Sequence, residues 1–217
     1  MTMSVNRPSY VRFGPPGGHS LAEISVAGGP GSTGGHTGDI VELGWLVSTD
    51  KYDDFDPHIF VFHWINGKPT CYDVDCVGWV QWSATYFPHQ RIGFAVDRDV
   101  YVGWVFWQGN WWAWFDNQWL GYFPGSIWGG QFIKTNWIQW FGEVSSNNGL
   151  PPRTTMGNGL FGESEFAARM STLCDVDANA WVCWIRNMQN TFSTNSRYYD
   201  AFRVGFGNMR YGGPGQP

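Results

Sequence analysis

Short apolar stretches separated by turn-forming residues recur every eight to twelve residues from Ile40 onward. Stretches of this length are typical of strands, and their enrichment in β-branched and aromatic residues points the same way. Two of the separating pairs, Asn66-Gly67 and Asp116-Asn117, mark turns between adjacent strands. The 29 Gly and 12 Pro are spread along the chain, so turns are frequent throughout. The pattern predicts an all-β protein: an antiparallel β-sandwich of two stacked, jelly-roll-like sheets with at most one short helix.

The individual elements follow from the same pattern. Residues 1–38 form a Gly/Pro-rich N-terminal segment that we expect to pack on the main domain, with one edge strand over 20–27. No shift of composition divides the remainder, so 39–217 is predicted to be one β-sandwich domain. One helix is predicted, over 163–171. The other strands are predicted over 40–47, 59–64, 77–82, 91–96, 101–107, 111–115, 119–123, 134–144 and near 198–206.

Charge and hydropathy exclude several classes of protein. The net charge is −5 and no Lys/Arg cluster is present, so a nucleic-acid partner is not expected. The longest apolar run, over 100–107, is eight residues long, far short of a membrane span. The first seven residues lack an apolar core, so no signal peptide is visible; a mature form would read the same way.

Two glutamates stand in runs that are otherwise apolar and aromatic. The chain has only five Glu, and Glu42 lies in Val-Glu-Leu-Gly-Trp while Glu143 lies in Gln-Trp-Phe-Gly-Glu-Val. A carboxylate on an apolar surface is costly to desolvate unless it is paired or has a chemical task. The sequence therefore suggests a carboxylate pair that the fold brings together.

Strand alternation predicts where these glutamates point. Over 40–47, Glu42 shares a face with Gly44 and Leu46, and the opposite face is the better core. Over 134–144, Glu143 shares a face with Gln139 and Phe141. Two strands that each offer Glu from a non-core face can line a groove. Two solvated surface carboxylates remain the alternative.

The four cysteines form two local pairs. If 173–177 and 180–184 are strands joined by a two-residue loop, Cys174 lies opposite Cys183 at a non-hydrogen-bonded site, where a cross-strand disulfide fits. Cys71 and Cys76 would lie on opposite faces of a plain strand, so their segment must turn or bulge. Four free buried thiols are the alternative. Disulfides would imply an oxidising compartment.

Six segments, in order along most of the chain, carry a resemblance to the catalytic domain of the neprosin family of glutamic endopeptidases. Any one of these segments is weak evidence for the family, but all six in the family's order are specific for it. The segments are Val41-Glu-Leu-Gly-Trp45, Cys71-Tyr-Asp-Val-Asp-Cys76-Val-Gly-Trp-Val-Gln81, Gly109-Asn-Trp-Trp112 with Leu120-Gly-Tyr-Phe-Pro124, Gln139-Trp-Phe-Gly-Glu143-Val, Met156-Gly-Asn-Gly159 and Tyr211-Gly-Gly-Pro-Gly215.

The resemblance implies that Glu42 and Glu143 are the catalytic pair and that Cys71 and Cys76 form a disulfide. It also implies cleavage after proline in peptide or protein substrates, without a cofactor or metal. Plant members carry an inhibitory propeptide domain, for which this chain has no room, and Phe141 stands where they have a small residue. We expect a secreted monomer that does not bind membranes.

The chemistry of such a pair predicts an acidic working pH. Two carboxyls that share a water do not both ionise cheaply, so one keeps a proton and polarises the scissile carbonyl while the other activates the water. Gln81 and Gln139 are candidate donors to the oxyanion. Trp79 and Tyr122 are candidates to stack on a proline ring, and Phe141 is a candidate to shape a subsite; ordinary sheet surface or core is the alternative for all five.

Other functions fit less well. A carbohydrate-binding or glycoside-hydrolysing β-sandwich is the main rival, because exposed aromatic residues of such modules stack on sugars. His58 and His63 lie on opposite faces of one strand and make a poor metal pair. The acidic cluster at residues 50–56 lacks the Gly and terminal Glu of a calcium loop, which favours a solvated loop.

Overall fold

The computed structural model describes residues 1–9, 18–75, 77–93, 98–146, 152–177, 179, 182–186 and 191–217. The helical elements in these residues are α1 (Thr49–Tyr52) and one 3₁₀ turn (Gly125–Trp128), and neither is long enough to cross a membrane. The strands are β1 (Thr2–Ser4), β2 (His19–Gly28), β3 (Asp39–Ser48), β4 (His58–Ile65), β5 (Lys68–Pro69), β6 (Val80–Gln81), β7 (Asp99–Trp107), β8 (Asn110–Phe115), β9 (Gln118–Pro124), β10 (Thr135–Ser145), β11 (Ala168–Ser171), β12 (Cys174–Asp177), β13 (Val182–Ile185), β14 (Asp200–Gly205) and β15 (Asn208–Gly212).

These strands form two stacked antiparallel sheets and a separate hairpin, which confirms the predicted fold class. The larger sheet has the order β14-β15-β11-β1-β7-β8-β9-β6, and the smaller has the order β10-β2-β3-β4-β5. The hairpin pairs β12 with β13. Strands β1 and β2, both from the first 38 residues, lie inside the larger and the smaller sheet respectively.

The main core lies between the two sheets. In β3 the side chains of Val41, Leu43, Trp45 and Val47 are fully buried in this core, as the alternation predicted. The Trp45 indole crosses the core and donates a hydrogen bond of 3.0 Å to the backbone oxygen of Ser4 in the other sheet. This face of the smaller sheet, its inner face, is therefore closed to solvent.

The opposite, outer face of the smaller sheet is also largely covered. A second apolar cluster lies on it, built from Leu21, Leu46, Phe60 and Phe62 of the sheet together with Tyr52 of α1. Tyr72, Trp64 and Phe141 pack against this cluster. The candidate site lies on this outer face, where polar side chains stand beside the apolar cluster.

The backbone angles at both hairpin turns are those of the turns predicted from the sequence. Asn66 and Gly67 have φ of 52° and 72°, and Asp116 and Asn117 have φ of 46° and 70°. Positive φ at both central residues is the requirement of the turn type that suits twisted hairpins.

Several predicted elements were wrong. The strand predicted at an edge over 20–27 is β2, which lies between β3 and β10. The predicted helix over 163–171 is a series of turns leading into β11, where buried Ala168 and Met170 alternate with exposed Arg169. Pairing of this segment with β1 and β15 outweighed the helix propensity of its residues. The strand predicted over 77–82 is only β6, and of 91–93 only Arg91 forms a bridge, to His58; residues 94–97 lie outside the described part.

The Cys174–Cys183 disulfide is confirmed, but the register predicted for its hairpin was wrong. Cys174 lies opposite Ile185, and Cys183 lies opposite Val176. β12 ends at Asp177 and β13 begins at Val182, and an Ala-Asn pair does not favour the two-residue turn that the prediction required. A shift of two residues keeps both cysteines on one face, with their Cα atoms 5.5 Å apart. Cys71 is also disulfide-bonded, whereas Cys76, its predicted partner, lies outside the described residues.

Candidate active site

Three adjacent strands, β10, β2 and β3, place three glutamates on the outer face of the smaller sheet. Glu42 of β3 lies opposite Ser25 of β2, and Glu143 of β10 lies opposite Leu21 of β2. Between these two positions on β2 is Glu23. It is thus a diagonal neighbour of Glu42 on one side and of Glu143 on the other, and diagonal neighbours are within reach of long side chains.

Gly44 makes this arrangement possible. It lies opposite Glu23 on β3, where a Cβ atom would come within 1.9 Å of the Ala22 carbonyl oxygen and 2.8 Å of the Glu23 Cα. The close approach of the two backbones therefore requires glycine at this position. Because Gly44 has no side chain, the sheet surface beside Glu23 is left open.

A cleft of about 420 Å³ lies over this part of the outer face. We call it the glutamate cleft. Its floor comes from the sheet, and its walls come from the segments that precede β3 and follow β5. The lining residues are Leu21, Glu23, His36, Glu42, Phe60, Phe62, Trp64, Pro69, Thr70, Tyr72 and Glu143.

Glu42 is held in a nearly dry environment. The residue is 6% exposed, the Trp64 indole donates a hydrogen bond of 3.2 Å to Oε2, and the Ser25 hydroxyl donates a longer one of 3.5 Å to Oε1. Burial raises the pKa of Glu42 to about 7, with a further contribution from the charge of Glu143 and against the lowering effect of both hydrogen bonds. Glu42 is therefore protonated in mildly acidic solution.

Glu143 has the opposite environment. Its side chain is 42% exposed, and its Oε1 lies 2.8 Å from Nε2 of His19. The other ring nitrogen of His19, Nδ1, lies 2.9 Å from the Ser145 hydroxyl, which fixes the ring. The Glu143 carboxyl is thus in contact with both solvent and an imidazole.

Glu23 is the most buried of the three and was not identified from the sequence. The residue is 3% exposed, and none of the described residues donates a hydrogen bond to its carboxyl. Burial, followed by the charges of Glu42 and Glu143, raises the pKa of Glu23 well above its ordinary value. The signal was present: Leu-Ala-Glu-Ile-Ser has the same setting of a carboxylate in a strand as the segment around Glu42.

Tyr72 was also missed. It lines the cleft, and burial together with the charges of Glu143, Glu23 and Glu42 raises the pKa of its phenol to about 12. The phenol therefore keeps its proton over the whole working range and is a hydrogen-bond donor facing three carboxyls. Aromatic side chains form a wall around it. The ring centroids of Phe62 and Tyr72 are 4.7 Å apart, and the His36 ring stacks on Trp64 with a centroid distance of 4.7 Å.

The remaining residues predicted for the site fall in two places. Gln139 lies on the outer face opposite Ser25, and Phe141 lies there opposite Glu23, although neither is among the residues that line the cleft. Trp79, Gln81 and Tyr122 lie instead at the β6–β9 edge of the larger sheet.

The hydrogen bonds of Trp79 and Gln81 lie within this edge of the larger sheet. The Gln81 amide donates to the backbone oxygens of Ser83, Tyr86 and Leu120, and its Oε1 accepts from the Trp79 indole. Hence Gln81 has no donor left for a substrate. Within the described residues no three His, Cys, Asp or Glu side chains are grouped so as to hold a metal ion.

The Neprosin family profile matches residues 16–214, which is nearly the whole chain. The chain belongs to the neprosin family, which is a family of peptidases.

Proposed function

We propose that the protein is a glutamic endopeptidase in which Glu143 activates water and Glu42 is the general acid. The observation that carries this proposal is that two carboxyls reach one cleft from opposite environments, one dry and one wet. Environments that separate the protonation states of two carboxyls are the usual basis of acid and base roles. Membership of a peptidase family supports the same reaction class.

The register of the strands argues against a proton shared directly between Glu42 and Glu143. One strand separates them, and two diagonal steps on a sheet put their Cα atoms roughly 15 Å apart. Side chains reaching inward leave space for a water molecule and a peptide carbonyl between the carboxyls. Each carboxyl therefore acts on a different part of the reacting group.

The proposed reaction is balanced in protons. The Glu143 carboxylate takes one proton from water as the water oxygen attacks the scissile carbonyl carbon. Glu42 gives its proton to the leaving nitrogen as the C–N bond breaks. Solvent then removes the proton from Glu143 and returns one to Glu42. Tyr72, with its phenol protonated, is placed to donate a hydrogen bond in the cleft while charge develops on the substrate.

The cleft also suggests the substrate. Its aromatic wall of Phe62, Trp64 and Tyr72 suits a compact apolar ring, which supports cleavage after proline in extended peptides. Activity requires protonated Glu42, so it is greatest in acid. The Cys174–Cys183 disulfide supports secretion into an oxidising compartment, where peptide substrates without fixed structure are accessible.

The test is cleavage of a quenched-fluorescence peptide that contains one proline, at pH 4 to 8, by wild type, Glu42→Gln and Glu143→Gln. Each variant keeps the size of the side chain and loses its titration. We expect kcat to fall by about 10³-fold or more in each, and the double variant to be little worse than either single variant, because the residues act as a unit.

The matched control is Glu165→Gln, which makes the same chemical change at an exposed glutamate and should leave kcat unchanged. Product masses give the bond that is cut. A folded Glu143→Gln protein that cleaves at the wild-type rate would contradict the proposed mechanism. Cleavage without enrichment of proline at the cut site would contradict the substrate preference alone.

A further inference from the structure

The glutamate cleft contains a carboxyl for which the two-glutamate mechanism has no use. Glu23 is more buried than Glu42, lies on the floor of the cleft and is aimed at the same space. A purely structural position on this face is normally apolar, as at Leu21, two residues earlier in the same strand. A carboxyl at this position therefore calls for an explanation.

The surroundings of Glu23 favour its neutral form, because it is buried beside two other carboxyls. The titratable groups that face it are Glu42 from β3, Glu143 from β10 and Tyr72 from the segment after β5, and none of them is a cation. His36 lines the same cleft, where its ring stacks on Trp64 and forms no ion pair with Glu23. None of the described Lys, Arg or His side chains forms an ion pair with it. An ionised Glu23 would be an unpaired buried charge beside a second carboxylate, whereas a protonated Glu23 has a free O–H donor.

The position of Glu23 decides what this donor can reach. Glu42 and Glu143 lie one diagonal step to either side, so a carbonyl held between the general acid and the general base lies over Glu23. The missing side chain of Gly44 leaves that space open. A buried carboxylic acid kept neutral so that it can donate a hydrogen bond is a known device in enzyme active sites.

We propose that Glu23 is a third catalytic carboxyl, protonated in the working enzyme, which donates its O–H hydrogen bond to the oxygen of the scissile carbonyl. The proton stays on Glu23 throughout, and the bond strengthens as the carbonyl oxygen gains negative charge. This inference rests on the proposed peptidase function, since it names a donor for the same reaction.

Two substitutions separate this role from a structural one. Glu23→Gln keeps a neutral donor, so its kcat at pH 5 should stay within about tenfold of wild type. Glu23→Leu keeps the volume and removes the donor, so its kcat should fall about 10²- to 10³-fold with little change of KM. Glu23→Met is the second apolar variant if Leu does not fold, and Glu165→Leu is the exposed control.

A measurement without substrate tests the protonation state. The infrared difference spectrum between wild type and Glu23→Gln at pH 6 should contain the carbonyl band of a protonated carboxylic acid. A carboxylate band in its place would overturn the proposal. So would a folded Glu23→Leu or Glu23→Met enzyme that cleaves at the wild-type rate, or a Glu23→Gln enzyme as inactive as the apolar variants.

These outcomes are distinct from failure of the proposed function. If wild type cleaves no peptide, or if Glu143→Gln retains full activity, the two-glutamate peptidase mechanism fails. If Glu143→Gln is inactive while the apolar variants at Glu23 are fully active, that mechanism stands and the third donor is refuted.

Discussion

The substitution Glu42→Gln should stabilise the protein at neutral and higher pH while it abolishes catalysis. Glu42 has a pKa of about 7 in the folded protein against an ordinary value of 4.5, because it is buried. An acid with the higher pKa in the folded state binds more protons when folded. Between pH 4.5 and about pH 7 the free energy of unfolding therefore falls as pH rises.

The magnitude follows from the same two values. A difference of one pKa unit corresponds to about 1.4 kcal/mol, so a rise from 4.5 to about 7 amounts to about 3 kcal/mol of lost stability. The loss begins near pH 4.5 and is complete somewhat above pH 7. Gln at this position stays neutral throughout, and its amide oxygen can accept the hydrogen bond from Trp64.

The assay is urea-induced unfolding of wild type and Glu42→Gln at pH 4 and pH 8, followed by tryptophan fluorescence with the disulfides oxidised. All other titrating groups are present in both proteins, so the change of the stability difference with pH reports the titration of Glu42 together with its charge interaction with Glu23. We expect similar stabilities at pH 4 and an advantage of about 3 kcal/mol for Glu42→Gln at pH 8. Glu165→Gln, at an exposed position, should track wild type at both pH values.

A difference that does not change between pH 4 and pH 8 would refute the reasoning, because it would mean that Glu42 titrates alike in the folded and unfolded states. An advantage for wild type that grows with pH would refute it more strongly. In that case the carboxylate would be the form that the fold stabilises, and Glu42 would not be the general acid.

Three further predictions concern activity and stability. Activity should decline as pH rises through about 7, because Glu42 then loses its proton. The measurement is the pH dependence of kcat on the proline peptide, and a kcat that stays constant through pH 7 would contradict the prediction. Gly44→Ala should destabilise the fold and reduce activity, because its Cβ would lie 1.9 Å from the Ala22 oxygen; thermal unfolding at the wild-type temperature would contradict this. Replacing Cys174 and Cys183 together by Ser should cost about 2–3 kcal/mol, as expected for so short a loop, and urea unfolding measures the loss.

The local pattern of the sequence predicted the strands of the smaller sheet well. In residues 40–47 and 138–144 the side chains alternate regularly, so the face that carries Glu42 and the face that carries Glu143 could both be assigned. The turns at Asn66-Gly67 and Asp116-Asn117 were predictable for a similar reason, since few residues tolerate positive φ at both central positions.

The order of strands in the sheet was not predictable in this way. β2 reads like an ordinary alternating strand, and only its pairing with β10, more than a hundred residues later, places Glu23 between the other two glutamates. Residues 163–171 contain good helix formers, yet pairing with β1 and β15 decided their conformation. Trp79, Gln81 and Tyr122 follow a recognisable motif, but which sheet they join depends on long-range contacts.

Pairing over this distance also sets when the site can be completed during synthesis. The residues of β2, β3 and β4 are synthesised early, whereas Glu143 follows Glu42 by 101 residues. At ordinary rates of translation this gap corresponds to about 5–20 s. Until β10 has been made and has added to the free edge of β2, the nascent chain carries the proposed acid without its base. With the proposed catalytic pair, a peptidase with this strand order would not cleave neighbouring unfolded chains until β10 has been made.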